Sequence, residues 1–311
     1  MIGIRGIGLH LPETRLDLLA RAAEFGSTEA FIRDKSGFVA VRRMVEGAET
    51  SDLCTAAFAD LRAKTGLDPA GVDCVVVVTQ NPDGRGLPHT AAVVHGKLGL
   101  PETCAAFDVS LGCSGYVHAL SMMRAFMEAN GLKSGLLFTA DPYSKIMAPD
   151  DKSTQMLFGD GAAATWLTVD PDFEIGPARF GTRGTEGSAL AVGPDGRLAM
   201  NGRGVFAFSA TTVPPFVTGF LADQGLGIAE LDLILLHQGS KFIVDTLRSR
   251  LGATEAQAPF GAAETGNLVS SSLPFLLADR YDALRGTALL CGFGVGLSWG
   301  AVLLKARRGT T

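Results

Sequence analysis

Apolar and polar residues alternate in two rhythms along this chain. GIRGIGLHL, from Gly3, reads as a short strand. CVVVVTQ, from Cys74, is an unbroken β-branched run, the mark of a strand buried on both faces. AAFDVS, from Ala105, and SGLLFTAD, from Ser134, read the same way. The segments between them space their apolar residues for helices. LCTAAFADLRAKTGL, HTAAVVHGKLGL and SGYVHALSMMRAFMEANG stop at Gly66, Gly99 and Gly131. Strand and helix alternate, so the pattern predicts an α/β fold with buried sheets.

The second half repeats the first. LDPAGVDCVVVVTQ, from Leu67, matches LGIAELDLILLHQ, from Leu226, when Asp73 is laid on Asp232. Forty residues beyond each aspartate stand Cys113 and Ser272, in small-residue turns that open the apolar helices GCSGYVHAL and SSSLPFLLAD. FGDGAAATWLTV and GFGVGLSWGAVLL each put glycines before a strand. The match predicts an internal duplication, with halves at about 1–168 and 169–311. GTRGTEGSALAVGPDGRLAMNGRGVF, from Gly181, breaks the pattern. It reads as loops and a hairpin turning at Pro194-Asp195-Gly196.

Composition narrows the class. Hydrophobic residues make up 47% and charged residues 19% of 311, which fits a large packed core and not a disordered chain. The net charge of -5 argues against a nucleic-acid binder. No window approaches the roughly 18 apolar residues of a membrane span, and the start shows no signal peptide. The expected compartment is the cytoplasm. Five scattered cysteines make no disulfide framework. There is no CxxC pair, no HExxH and no histidine at ligand spacing, so no metal site is expected.

Three turns carry candidate chemistry. Cys113 sits between glycines where a strand passes into a helix. A helix N-terminus lowers a thiol pKa and favours the nucleophilic thiolate. A core cysteine beside two packing glycines explains the same stretch. His237 ends the apolar strand LILL, where α/β sheets place ligands. A hydrogen-bonded histidine at a sheet edge is the plain alternative. Asn267 follows Gly266 in a turn before a helix, where asparagine ordinarily caps or adopts the left-handed conformation. Taken together, the three form a plausible acyl-transfer site, and duplicated halves would bring such turns to one crevice.

In these motifs the chain resembles β-ketoacyl-acyl-carrier-protein synthase III, of the thiolase superfamily. The family's F-D-x-x-x-x-C-x-G is matched by Phe107, Asp108, Cys113 and Gly115. Its H-Q-x-N is matched by His237 and Gln238, and its G-N-x-x-x-x-S-x-P by Gly266, Asn267, Ser272 and Pro274. G-D-G-A stands at 159–162 and G-F-G-x-G-x-x-W-G at 292–300. GIRGIGLHLPE, FIRDKSGFVAVRR and TSDL fit the family's N-terminal region.

The resemblance implies a five-layered αβαβα fold of two similar halves, a homodimer, and no cofactor beyond acyl-CoA as substrate. It implies that Cys113 accepts the acyl group. The backbone N–H groups of Cys113 and Val295 would hold the oxyanion. His237 and Asn267 would stabilise the enolate of a malonyl thioester. Phe31 takes the place of a family tryptophan that packs on CoA, and Lys35 that of an arginine. By resemblance Leu87 falls at the end of the acyl tunnel. Ser240 and Phe242 replace an asparagine and an arginine linked to carrier-protein docking; Lys241, Arg248 and Arg250 lie near enough to compensate. These departures suggest a specialised member of the family. Two other readings stay open: an acyltransferase that needs no decarboxylation, and a non-catalytic partner subunit of a heterodimeric synthase.

Overall fold

The computed structural model describes residues 1–307. In chain order the strands are β1 (Gly3–His10), β2 (Thr14–Asp17), β3 (Ala40–Arg43), β4 (Cys74–Val78), β5 (Ala105–Val109), β6 (Ser134–Ala140), β7 (Ala162–Thr168) and β8 (Phe173–Thr182). They continue with β9 (Leu190–Val192), β10 (Leu198–Met200), β11 (Leu233–Leu236), β12 (Thr287–Gly294) and β13 (Ser298–Ala306). The helices are α1 (Glu29–Phe31), α2 (Thr50–Thr65), α3 (Thr90–Leu98), α4 (Gly115–Asn130), α5 (Lys152–Gln155), α6 (Gly202–Asp223), α7 (Lys241–Leu251) and α8 (Ser272–Arg280). Gly66, Gly99 and Gly131 end α2, α3 and α4 in the left-handed conformation, as the sequence predicts.

The duplication is visible in the sheet. In the first half β1 pairs antiparallel with β7, β7 antiparallel with β6, and β6 parallel with β4. In the second, β8 pairs antiparallel with β13, β13 antiparallel with β12, and β12 parallel with β11. The two sets join where β1 meets β8 at Gly3–Glu174 and Ile4–Phe173. Only the first set adds a further strand, β5, at its outer edge. The aspartates that aligned the sequence do the same work twice. Asp73 Oδ2 accepts the Ser134 N–H at 2.9 Å, at the start of β6. Asp232 Oδ2 accepts the Gly286 N–H at 2.6 Å, just before β12. The chain passes from one set to the other between Thr168 and Phe173.

Alternation along the strands sorts the side chains into layers. Val75 and Val77 of β4 pack outward with α2 and α3, including Leu53, Phe58 and Val94. Val76 and Val78 face inward onto α4, through Val117, Leu120 and Met123. The same inner cluster takes Leu233 and Leu235 of β11 and Leu273 and Leu277 of α8. Ile234 and Leu236 face α6 and α7 on the far side. Helix, sheet, paired helices α4 and α8, sheet and helix stack as the five-layered αβαβα fold.

Two expectations are corrected. The glycine-rich segment does form the β9–β10 hairpin, but it turns helical at Gly202, where Asn201 Oδ1 caps α6 by accepting the Gly204 N–H at 3.0 Å. That helix is also long and apolar enough to cross a membrane by length and composition, against the reading that nothing approaches a span. Its apolar residues are interleaved with Gly, Ser and Thr, so no continuous run marks it. Here it buries Phe208, Val213, Val217 and Phe220 against the second sheet, as a core helix does.

Candidate active site

Cys113 stands two residues before α4, and its side chain is buried. Glycines make room on every side of its turn. A Cβ on Gly294 would lie 2.8 Å from Cys113 Sγ, and one on Gly292 would lie 2.6 Å from the Cys113 carbonyl oxygen. Gly294 also holds φ at 155°, a backbone that side chains rarely accept. Because β12 carries no Cβ there, the nucleophile turn seats directly against the β12–β13 connection. The backbone N–H groups of Val295 and of Cys113 itself favour the thiolate, each lowering the pKa of the sulfur. Backbone N–H groups beside a thiol are what an oxyanion hole would require.

The thiol is not the acidified one that its helix terminus predicts. Burial pushes the Cys113 pKa up to about 12, and the charge of Asp141 adds to the rise. The two N–H bonds lower it by less than burial raises it. Desolvation outweighs the partial charge of a helix end when the sulfur has no water. At ordinary pH Cys113 is a thiol.

His237 follows β11, and its N–H donates to the Cys291 carbonyl of β12 at 2.9 Å. Gln238 locks the next residue by donating to the Leu236 carbonyl at 2.8 Å and accepting the Gly261 N–H at 2.9 Å. The imidazole stands edge-on to Phe293, with ring centroids 5.6 Å apart. Burial lowers its pKa to about 3, so it is neutral at ordinary pH. Nδ1 is buried without a hydrogen-bond partner, and the ring lines the main cavity. A neutral ring that donates into the cavity must carry its proton on Nε2.

Asn267 is held by the first half. Its N–H donates to the Leu157 carbonyl at 2.9 Å, and its own carbonyl accepts the Gly159 N–H at 3.0 Å. Arg43 of β3 secures this stretch by donating to the carbonyls of Phe158, at 2.6 Å, and Gln155, at 2.8 Å. A Cβ on Gly159 would fall 1.9 Å from the Thr265 carbonyl oxygen, which is why the G-D-G-A motif starts with glycine. Asp160, in the same motif, accepts the Met44 N–H at 2.9 Å and orders backbone. Asn267 Oδ1 accepts the Val269 N–H at 2.9 Å. The amide oxygen is thus occupied, and Nδ2 is the group left to donate. The left-handed residues are Gly266 (φ 76°) and Val269 (φ 52°), not Asn267 itself. A β-branched residue at that φ is strained, and here it sits where its N–H orients the Asn267 amide.

Cys113, His237 and Asn267 line one cavity of about 810 Å³, together with Phe158, Leu190, Met200, Phe293 and Gly294. Phe31 stands at its mouth, 54% exposed. The sequence reading missed two other mouth residues. Phe242 is 40% exposed and stacks on Phe206 at 5.1 Å, with Lys35 Nζ 4.3 Å above its ring. The substitution of an aromatic for the family arginine was the signal that could have found the pair. Ser240, in place of the family asparagine, caps α7 by accepting the Ile243 N–H at 3.2 Å.

The other expected substrate residues lie elsewhere. Lys241 is outside the cavity wall, and its Nζ pairs with Asp245 Oδ2 at 2.5 Å one turn along α7. Arg248 shares that carboxylate at 2.6 Å, and Arg250 donates to the Ala210 carbonyl at 2.5 Å. The cations expected to compensate for the lost arginine are therefore engaged within the chain. Leu87 is 93% exposed on the loop before α3 and does not reach the cavity of its own chain. His118 is a packed histidine, bonded to the Ser114 carbonyl at 2.9 Å and against Phe180. Cys54, Cys74, Cys104 and Cys291 are buried and free, and burial raises each thiol pKa. Among the described residues no cluster of His, Cys, Asp and Glu is arranged to hold a metal ion.

A buried cysteine facing two backbone N–H donors, with a neutral histidine and an oriented amide across an apolar tunnel, defines an acyl-transferring enzyme of the thiolase-like fold. The family model for 3-oxoacyl-[acyl-carrier-protein] synthase III matches residues 107–184, and the model of its C-terminal domain matches residues 221–306. β-Ketoacyl-[acyl-carrier-protein] synthase III 2 of Streptomyces coelicolor is 34% identical over 307 residues, which is 96% of this chain and 92% of that protein. The crystal structure of the Thermus thermophilus synthase III superposes with a TM-score of 0.90 at 31% identity, over 97% of this chain and 98% of the other. A priming β-ketosynthase from the R1128 polyketide pathway superposes with a TM-score of 0.87 at 29% identity, covering 98% of this chain and 96% of its own. The chain belongs to the 3-oxoacyl-[acyl-carrier-protein] synthase III family.

Proposed function

We propose that this chain primes carbon-chain synthesis by condensing an acyl group from acyl-CoA with a malonyl thioester. The observation that carries the reading is the single cavity lined by Cys113, His237 and Asn267, with the amide oxygen of the asparagine already engaged. In the first step the sulfur attacks the thioester carbonyl, whose oxygen takes the place between the two N–H groups. The C–S bond to CoA breaks, and the Cys113 proton leaves on the CoA thiol. In the second step the malonyl group loses CO2, and the freed electron pair forms an enolate. His237 Nε2–H and Asn267 Nδ2–H donate to its oxygen. The carbanion attacks the acyl-cysteine, and Cys113 departs as a thiolate that is reprotonated. Neither donor has to change charge.

The mouth supports the donor assignment. Phe31 offers a stacking face for the adenine of CoA, and the Phe206–Phe242 pair extends it. The extender arrives on an acyl carrier protein, as the names of the relatives suggest. Lys241 sits on the mouth-facing end of α7 as a cation for that partner, although it must first leave Asp245. The working form is a homodimer. Strand β5 ends the sheet with an unpaired edge among the described residues, and Leu87 lies exposed on the nearby loop, available to a second copy. The compartment is the cytoplasm, which agrees with buried, unpaired cysteines.

The test is a single turnover on enzyme already carrying an acyl group. Malonyl-carrier protein or malonyl-CoA should release CO2 and give a β-ketoacyl product. Transfer of the acyl group to an alcohol or amine with no CO2 released would instead establish the simple acyltransferase.

A further inference from the structure

Val269 is fully buried beside the catalytic cavity and takes no part in its wall. Among the described residues it alone, glycines apart, has a left-handed backbone, at φ 52°. A β-branched residue tolerates that backbone least, whereas glycine adopts it freely. Its N–H donates to Asn267 Oδ1 at 2.9 Å, two residues back. Its side chain packs in one buried cluster with Cys113 and Phe158. A Cβ on Gly112, the residue before Cys113, would lie 3.3 Å from Val269 Cγ1. One residue thus meets the nucleophile turn with its side chain and the amide donor with its backbone.

The surroundings leave little else to move. Asn267 is pinned through its own backbone to Leu157 and Gly159. Ser271 Oγ donates to the Thr139 carbonyl at 2.9 Å, within β6. The nucleophile turn is enclosed on other sides by Val295, whose Cγ1 lies 2.6 Å from that same Cβ position on Gly112, and by Gln80, whose Oε1 lies 2.5 Å from it. Gln80 Oε1 in turn accepts the Tyr143 hydroxyl at 3.1 Å. Between the pinned residues, the peptide joining Leu268 to Val269 is the unit free to rotate. Relaxing Val269 to a negative φ would swing its N–H away from Asn267 and carry its side chain off Gly112. The packed side chain opposes that rotation.

We propose that Val269 is a positioning residue for condensation: its side chain wedges against the nucleophile turn and so holds the N–H that aims the Asn267 amide. The proposal rests on the reading of Asn267 as a donor to the enolate. With the N–H on Oδ1, the amide presents Nδ2 to the cavity. Once that N–H turns away, the amide can flip and face the enolate with its own oxygen, which repels the developing charge. Loading of Cys113 does not use the amide, and the turn keeps its seat against Gly292 and Gly294. The wedge therefore acts on the second step and spares the first.

The test measures the two steps separately on the full chain: acetyl loading by intact mass, and condensation of acetyl-loaded enzyme with malonyl-CoA in a single turnover. Val269→Gly keeps the N–H and the backbone freedom and removes only the wedge. It should slow condensation about tenfold or more and change loading by less than about threefold. Val269→Ala carries the same expectation if circular dichroism shows that the glycine variant does not fold. Val269→Thr restores the β-branch and should recover most of the loss. In an Asn267→Ala background, Val269→Gly should slow condensation by no more than about twofold further, because the residue acts through the amide. Losses that multiply in full in the double variant, or a Val269→Gly enzyme that condenses at the wild-type rate, overturn the proposal and leave the reading of Asn267 standing. A wild type that passes its acetyl group to an alcohol or amine and releases no CO2 overturns both.

Discussion

Helices α4 and α8 occupy equivalent places in the two halves, yet the chain enters them differently. From the end of β5 at Val109 a tight turn leads to α4 at Gly115, with Cys113 inside it. Helix α8 is reached through a long irregular segment that bends at Gly266, holds Asn267 and passes the strained Val269. Each residue is then positioned by the other half. Cys113 is seated against Gly292 and Gly294 of β12, and Asn267 is pinned by Leu157 and Gly159 beside β7. Duplication supplied two matching helix entrances. The difference in the turns puts a cysteine in one and an asparagine amide in the other, and each half brings only part of the cavity lining.

If the halves depend on each other in this way, substitutions in one should disable the residue of the other. Gly294→Ala places a methyl 2.8 Å from Cys113 Sγ at a φ of 155°. Acyl loading should fall by about a hundredfold or more, although Cys113 is untouched. Loading near the wild-type rate would mean that the glycine connection does not seat the nucleophile. His237→Ala and Asn267→Ala remove donors from the enolate, and each should slow condensation by about 10²–10³-fold and affect loading far less. Equal losses in both steps would place these residues in acylation instead. The smallest effect is an absence. Burial holds His237 near a pKa of about 3 and the Cys113 thiol near about 12. Neither group changes charge between about pH 5 and about pH 8, so condensation by acyl-loaded enzyme should show no step at the usual histidine pKa. A step near 6.5 would contradict a neutral, dry His237.

The buried strands were legible because burial on both faces leaves unbroken apolar runs, and the repeat because Asp73 and Asp232 mark one tether in two copies; the strand order was not. Cys113, His237 and Asn267 were legible as residues at turns beside buried elements. Their protonation was not. The helix terminus before α4 argued for a thiolate, and the burial of the sulfur reverses that sign. Val269 carries no sequence signal, since nothing about valine announces a left-handed backbone. Lys241 and Arg248 read as free cations because Asp245 meets them only across helical turns. Tyr143 went unremarked since its partner, Gln80, is distant in sequence and joins it only through the fold.

The central claim is that Cys113 becomes acylated with the help of both halves. Intact mass after incubation with acetyl-CoA tests it most directly, on the wild type and on Cys113→Ala. The wild type should gain the mass of one acetyl group and the alanine variant none. An unchanged wild-type mass, or the same gain in Cys113→Ala, would contradict the account.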